Sequence, residues 1–415
     1  MISIPEFDIK EVLFSGGGKM ICHAVRQEDG QAVILKVVSG AMQHETEAVK
    51  LRREYELVSK LAFPGVPKIL GIKEFGEGVA IVMEDFGGLP LKTLIPENGM
   101  PLKQFFPIAG RLADIVAALH RQQIIHKDIK PDNILLNTQT GEVRLIDFGI
   151  AVLISQETVG IVSHQDLEGS LQYLSPEQTG RMNRPVDYRT DFYSLGVSFY
   201  QMLTGRLPFT SDDPAELVHA HLARNPRPPA EINPAIPPVL QSIVLKLMDK
   251  SPERRYQSAG GLKKDLDTCA QRLDAEGNIP GFEIGASDFS GRFHISHKLY
   301  GRELELRFLL DSFDDTGQGK AELLLVSGFS GIGKSSLIRE IHKPVVSRRA
   351  YFTEGKFDQF NRDAPYSAVI LAFRSLLGQL LSESDARVTQ WKSDLLDALG
   401  PNGQVIIDVI PEVQL

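Results

Sequence analysis

The stretch His126-Lys127-Asp128-Ile129-Lys130-Pro131-Asp132-Asn133, followed after two short apolar runs by Asp147-Phe148-Gly149, constrains this 415-residue chain more than any other feature. The runs are Ile134 to Leu136 and Val143 to Ile146, and the turn between them holds Thr140 and Gly141. Apolar runs split by a glycine-bearing turn predict a β-hairpin. A hairpin brings its ends together, so Asp128 and Asn133, just before the first strand, converge with Asp147, just after the second. Three oxygen-bearing side chains in one small volume suit magnesium and a hydroxyl group.

Composition limits the setting. With 42% hydrophobic and 24% charged residues the chain is not a disordered one, and its length predicts two or three domains. Cys22 and Cys269, the two cysteines, lie far apart and offer neither a disulfide framework nor a metal spacing, which fits a reduced cytosol. The start, MISIPEFDIK, lacks a basic region leading into an apolar core, and no apolar run reaches membrane-spanning length. A net charge of -8 argues against a general nucleic-acid binder. The expectation is a cytoplasmic protein with no membrane segment and no nucleic-acid partner.

Further patterns flank the opening motif. Val33 to Lys36 reads as a strand ending in lysine, and Glu54 lies in a helical stretch, Glu45 to Leu61. Leu51, Tyr55 and Val58 mark that helix's apolar stripe, which puts Glu54 on its flank in preference to Glu47 or Glu56. Ala80 to Met83 forms an apolar strand running into Glu84, Asp85, Phe86, Gly87 and Gly88. Ile108, Leu112, Ile115, Val116 and Leu119 recur at helical spacing ahead of the motif. Downstream come Gly169, Ser170, Tyr173, Ser175, Pro176 and Glu177, then Asp191 before the apolar run Phe192 to Leu203, and Arg255 in SPERRYQSA.

In this order the motifs resemble those of the Hanks-type serine/threonine protein kinases. The matching domain covers residues 1–270, with a small lobe at about 5–85 and a large lobe at about 86–270. The resemblance implies an α+β bilobal protein-kinase fold with ATP and magnesium between the lobes. It implies that Lys36 holds the α- and β-phosphates, Glu54 fixes Lys36, and Met83, Glu84 and Phe86 line the adenine hinge. Asp128 orients the acceptor hydroxyl and takes its proton, Lys130 steadies the transferring group, and Asn133 and Asp147 hold magnesium. Ser170 shapes the acceptor pocket, and Glu177, in Ser-Pro-Glu where Ala-Pro-Glu is usual, pairs with Arg255. Asp191 reads as a helix cap, and the resemblance implies a brace for the catalytic loop backbone, two compatible readings. The implied partner is a protein with a serine or threonine acceptor.

Two departures stand out. The phosphate-covering loop should carry three glycines, and its register falls on Phe14, Gly16 and Lys19, so Gly16, Gly17 and Gly18 supply a flexible turn instead. Lys127 stands where arginine is common and gives a point charge in place of a bidentate fork, which weakens the case for switching by phosphorylation at Ser155, Thr158 or Ser163.

A second signal follows a Gly-, Pro-, Asp- and Ser-rich stretch at Asn278 to Gly291, within a linker placed at 271–296. Gly328-Phe329-Ser330-Gly331-Ile332-Gly333-Lys334-Ser335 satisfies the phosphate-binding loop pattern, between a predicted strand, Leu323 to Val326, and a predicted helix, Ser335 to Ile341. Gly328, Gly331 and Gly333 give the loop, Lys334 reaches the β- and γ-phosphates, and Ser335 contacts magnesium. Residues 297–415 resemble the start of an AAA/STAND-type P-loop ATPase domain, as in large bacterial multidomain sensor kinases. About 120 residues are few for a parallel sheet with its helices, so a truncated, partial α/β P-loop NTPase domain is expected. Asp408, after Val405 to Ile407, is a weak candidate for its second acidic residue.

Two readings follow. The first is an active serine/threonine kinase with a second ATP-binding module and further signalling domains or partners. The second, favoured by Phe14 and Lys19, is a pseudokinase head that senses nucleotide and regulates a larger ATPase or histidine kinase.

Overall fold

The computed structural model describes residues 4–16, 18–39, 45–76, 78–153, 170–179, 186–289, 301–317, 319–329, 332–341, 350–355, 366–380, 385–400, 403, 406 and 410. Two compact units divide the chain: 1–157 with 187–208 and 226–291, and 158–186 with 209–225 and 292–415.

The first unit opens with strands β1 (Phe7–Gly16), β2 (Lys19–Arg26) and β3 (Ala32–Ser39), helix α1 (Glu45–Val58), and strands β4 (Ile69–Phe75) and β5 (Gly78–Glu84). The strands form one antiparallel sheet in the order β1-β2-β3-β5-β4. Alternation along β3 explains why the sheet forms. Val33, Leu35 and Val37 enter one apolar cluster with Cys22, Ala24, Ala80 and Val82, while Val38 on the opposite face joins Leu51, Val79 and Ile81. Leu51 and Val58 of the predicted stripe are 2% exposed, so α1 is held by that second cluster.

Next come β6 (Leu89–Pro90), α2 (Leu91–Leu94), α3 (Leu102–Arg121), β7 (Ile124–Ile125), β8 (Ile134–Leu136), β9 (Val143–Leu145) and β10 (Val152–Leu153). Pairing of Ile134 with Leu145 and Leu136 with Val143 gives the hairpin read from the sequence. Its turn is set by Asn137, whose Oδ1 accepts from the Gln139 and Thr140 amides, and by Gly141 at φ 72°. Gly65 docks the loop after α1 onto this hairpin through its carbonyl, which accepts from Leu145 N at 2.8 Å. Its φ of 102° and the packing of Ile115 against it leave no room for a side chain.

Helices α4 (Arg189–Thr204), α6 (Pro238–Leu247) and α7 (Ala259–Glu276) complete the first unit, and α5 (Pro214–Ala223) belongs to the second. Every residue of α4 is buried except Gln201. That is what an apolar run without a polar face requires. Residues 271–276, read as the start of a linker, instead finish α7, which ends at the left-handed Gly277. The following stretch folds back on the helix: Asp288 accepts from Gln257 N, Ser258 N and Ser258 Oγ, and the Arg272 guanidinium lies over the Phe282 ring.

In the second unit, Asp213 caps α5 by accepting from Ala215 N at 2.9 Å, and Phe209 meets the His221 ring edge to face. The later described elements are α8 (Glu303–Thr316), α9 (Lys334–Arg339) and two helices at Ser367–Leu380 and Asp385–Leu399. The strand expected at Leu323 to Val326 does not form: residues 320–329 have no regular structure, and Leu323 and Leu325 are each 88% exposed. A parallel strand exists only through its neighbours' hydrogen bonds, and among the described residues no strand follows Leu153. No helix among the described residues is long and apolar enough to cross a membrane.

Candidate active site

β3 carries Lys36 to the mouth of the cleft, and α1 carries Glu54 opposite it. Lys36 Nζ donates to Glu54 Oε1 at 2.8 Å, to Glu54 Oε2 at 2.6 Å and to Asp147 Oδ1 at 2.6 Å. Lys36 and Glu54 are each 6% exposed, so the expected pair is a buried one. Glu54 Oε1 also accepts from Phe148 N at 3.2 Å, tying helix, sheet and the Asp147-Phe148-Gly149 triplet together. Burial opposes charge on Lys36, but the two carboxylates outweigh it and hold its pKa above the ordinary lysine value. Burial likewise opposes charge on Asp147. Lys36, and secondarily Lys19, outweigh it and hold the carboxyl well below its usual range.

Asp128 and Asn133 are buried on the other wall. Asn133 Nδ2 donates to Asp128 O and Asp128 Oδ2, both at 2.9 Å, and Lys130 Nζ donates to Asp128 Oδ2 at 2.7 Å. With both amide protons engaged on Asp128, the remaining atom of Asn133 is the carbonyl Oδ1, a hard donor of the kind magnesium prefers. Asn133 Oδ1 and Asp147 would suit a divalent cation as two oxygen donors. Among the described residues no cluster of three or more His, Cys, Asp or Glu side chains forms a self-sufficient metal cage.

The loop at residues 126–133 is held by Asp191 and by two histidines to which the sequence assigned no role. Asp191, 0% exposed, accepts from the amides of His126 at 3.1 Å and Lys127 at 2.9 Å and contacts His120 Nε2 at 2.8 Å. It lies in the first turn of α4, whose N-cap is Tyr188, so of the two readings for Asp191 the brace holds and the cap does not. His126 Nδ1 accepts from Asp128 N at 3.3 Å and Nε2 faces Ile146 O at 3.2 Å, which fixes the neutral Nε2–H tautomer. Burial lowers its pKa despite Asp191, Asp128 and Asp147 nearby. Lys127 at φ 71° and Asp147 at φ 65° occupy the left-handed region, where non-glycine residues are strained. A lone buried histidine at the end of an apolar helix, His120, carries no signal in sequence.

At the hinge, Ile34 pairs with Met83 and Val33 with Glu84. The Glu84 carboxylate accepts from Arg144 at 3.1 Å, and the same guanidinium lies 4.1 Å from the Phe86 ring centroid. Asn137 Nδ2 donates to Phe86 O at 2.6 Å. The side chains of Glu84 and Phe86 are therefore engaged in structural contacts. β1 and β2 close directly, Gly16 pairing with Lys19, with Gly18 at φ 76°. Lys19 Nζ lies 2.6 Å from Glu47 Oε2, a contact that the missing third glycine alone did not announce.

Arg255, 1% exposed, donates to Asp249 O at 2.7 Å and Arg189 O at 3.0 Å. In the second unit Glu177 is buried, Ser170 is half-buried, and Ser175 N and Oγ both donate to Gln178 Oε1 at 3.0 Å. Of the second nucleotide motif, Gly328 (φ 159°) and Gly333 (φ 93°) adopt glycine-type backbone. Lys334 Nζ donates to the carbonyls of Gly328 at 2.7 Å and Phe329 at 2.8 Å, and Ser335 is exposed at the start of α9. Gly17, Ser155, Thr158, Ser163, Gly169, Ser330, Gly331 and Asp408 lie outside the described residues.

Comparison with known proteins agrees with this geometry. A protein kinase domain model matches residues 7–266, and an AAA ATPase domain model matches 298–410. A hybrid signal transduction histidine kinase G of Dictyostelium discoideum is 33% identical over 76% of this chain and 12% of its own length. A probable serine/threonine-protein kinase of Clostridium perfringens is 33% identical over 63% of the chain and 38% of its own, and the serine/threonine-protein kinase PrkC of Bacillus subtilis is 33% identical over 62% and 40%. The chain thus spans less than half the length of each of these relatives.

Proposed function

The chain belongs to the protein kinase family through residues 7–266, and on that premise we propose that it is a serine/threonine protein kinase, moving the terminal phosphoryl group of ATP to a protein hydroxyl. The single observation that carries this reading is the assembled Lys36–Glu54–Asp147 constellation, with Asp147 bonded at 2.6 Å to a lysine that Glu54 holds in place. Transfer needs the phosphate-binding lysine and the metal-binding aspartate in position together.

In this reading adenine meets the backbone between Glu84 and Phe86, the Gly16–Gly18 turn covers the phosphates, and Lys36 binds the α- and β-phosphates. Asn133 Oδ1 and Asp147 hold magnesium, which when bound neutralises charge on the phosphate oxygens. Asp128, steered by Asn133 and Lys130, orients the acceptor hydroxyl and accepts its proton, and Lys130 steadies the transferring group. Within the second unit, Glu177 anchors the end of the segment that begins at Ser170. The loop of Gly328, Gly331, Gly333, Lys334 and Ser335 is a second nucleotide site. The whole is the cytoplasmic head of a longer signalling protein, a reading supported by the Dictyostelium relative's name and by the AAA ATPase match.

Incubating the full chain with labelled ATP, magnesium and a basic acceptor protein tests the proposal. Asp128→Ala is expected to lower transfer on the order of 10²- to 10⁴-fold, the range of a lost general base. Equal labelling by wild type and variant would sink the transferase reading, and tight ATP binding without transfer would point to the nucleotide-sensing alternative.

A further inference from the structure

Lys19 occupies the position where the phosphate-covering hairpin is expected to carry its last glycine. In the sheet, Lys19 lies opposite Val38, and Ile21 lies opposite Lys36. Opposed residues of antiparallel strands share a face, and residues two apart along a strand share it too. Lys19 and Lys36 therefore project from one face of the sheet, the face that Val38 and Ile81 present to α1. The partners repeat the arrangement: Glu47 and Glu54, seven residues and so about two turns apart, lie on one side of α1. Two lysine–glutamate pairs, Lys36–Glu54 and Lys19–Glu47, thus run in parallel along the cleft, each at 2.6 Å.

Their order along the cleft matters. The hinge end of β3 is Val33, paired with Glu84, and the opposite end is Ser39, paired with Gly78. Lys36 lies between them, and Lys19, opposite Val38, stands two residues or about 6.6 Å further from the hinge. A nucleotide whose base sits at the hinge and whose inner phosphates meet Lys36 extends its terminal phosphate toward Lys19. The two pairs also differ in hold. Lys36 and Glu54 side chains are 7% exposed each, and Lys36 has Asp147 as a second partner. Lys19 and Glu47 are 33% and 21% exposed, and Glu47 also meets Lys50 at 3.1 Å. Such a partly exposed, shared pair is weaker and more exchangeable than the buried one.

We propose that Lys19 is a terminal-phosphate ligand: it leaves Glu47 for the γ-phosphate of ATP, so that the hairpin recognises triphosphate by a side-chain cation where glycine backbone would otherwise approach. The proposal rests on the cleft being the ATP site and makes Lys19 a specificity residue for triphosphate over diphosphate.

Calorimetric titration of the full chain carrying Lys334→Ala, which silences the second nucleotide site, tests this with magnesium and either a non-hydrolysable ATP analogue or ADP. Lys19→Ala is expected to weaken the analogue about tenfold and ADP less than twofold. Lys19→Arg retains the discrimination, Glu47→Gln tightens the analogue two- to threefold by releasing Lys19, and Lys36→Ala weakens both nucleotides. An unchanged ratio in Lys19→Ala, with both affinities falling together or neither falling, overturns the assignment. Should Lys19→Ala lose its native circular dichroism, Glu47→Gln decides, and no gain for the triphosphate overturns it. A wild-type chain that discriminates the nucleotides yet labels no protein would sink the transferase reading and leave this one standing, whereas absence of any binding in the cleft would sink both.

Discussion

Around Lys36 the phosphate-covering hairpin keeps one of three expected glycines, yet every group it serves is in place: Lys36, Glu54 and Asp147 meet within 2.8 Å, on a sheet and a helix whose apolar faces are buried. Around Lys334 the loop pattern is complete, yet its preceding segment carries no ladder, Leu323, Leu325 and Phe329 are 86–88% exposed, and Lys334 turns back onto its own loop carbonyls. A local motif fixes which groups are available. It does not fix where they point, because backbone direction comes from strands and helices whose partners lie elsewhere in the chain.

Disrupting the first region's scaffold should have the largest effect. Asp191→Ala leaves the buried His126 amide and the part-buried Lys127 amide without their acceptor, each costing about 1–3 kcal/mol. A loss of about 3 kcal/mol in chemical denaturation is expected, together with loss of phosphoryl transfer. A variant that unfolds like wild type would refute the brace. Next in size is a matched pair of leucines, one from each region. Leu195→Ala, in a helix where leucine is 0% exposed, should cost about 3 kcal/mol, whereas Leu325→Ala, 88% exposed, should change stability by less than about 0.5 kcal/mol. Equal costs would mean that the Leu325 segment is packed in solution, and the contrast would fail.

The smallest effect concerns pH. Burial, then Arg255, lower the Lys250 pKa to about 7. A depressed lysine pKa means the folded chain binds fewer protons than the unfolded one between about pH 7 and the ordinary lysine value near 10, so stability rises with pH across that window. Lys250→Met should flatten that slope and stabilise the chain at pH 6 by about 1 kcal/mol, read from thermal melts at several pH values. Parallel pH profiles for variant and wild type would show Lys250 to be fully charged at neutrality.

Much of the cleft was legible because its groups are tied to short patterns. The hairpin from Ile134 to Leu145, the strand bearing Lys36 and the helix bearing Glu54 each follow from apolar periodicity over fewer than twenty residues. His120, Arg144 and the Lys19–Glu47 contact were not legible. Each acts on a residue from a different element, and nothing in a buried histidine or a half-exposed charge states its partner in advance. The stretch after residue 271 misled for a related reason. Glycine and proline mark an irregular backbone, yet Asp288 and Phe282 still dock irregular chain on α7.

By itself the sequence determined the chemistry of the cleft: a lysine on a strand, a glutamate on a helix, and two aspartates and an asparagine beside a hairpin, in an order that matches one family. Only the tertiary structure decided that Glu47 answers Lys19 and that Asp147 joins Glu54 on Lys36, that Asp191 braces the loop rather than capping a helix, and that the segment before the second phosphate loop carries no ladder. The physical reason is range. Periodicity and turn chemistry act over a few residues, whereas ion pairing, burial and strand ladders depend on partners brought together from distant parts of the chain.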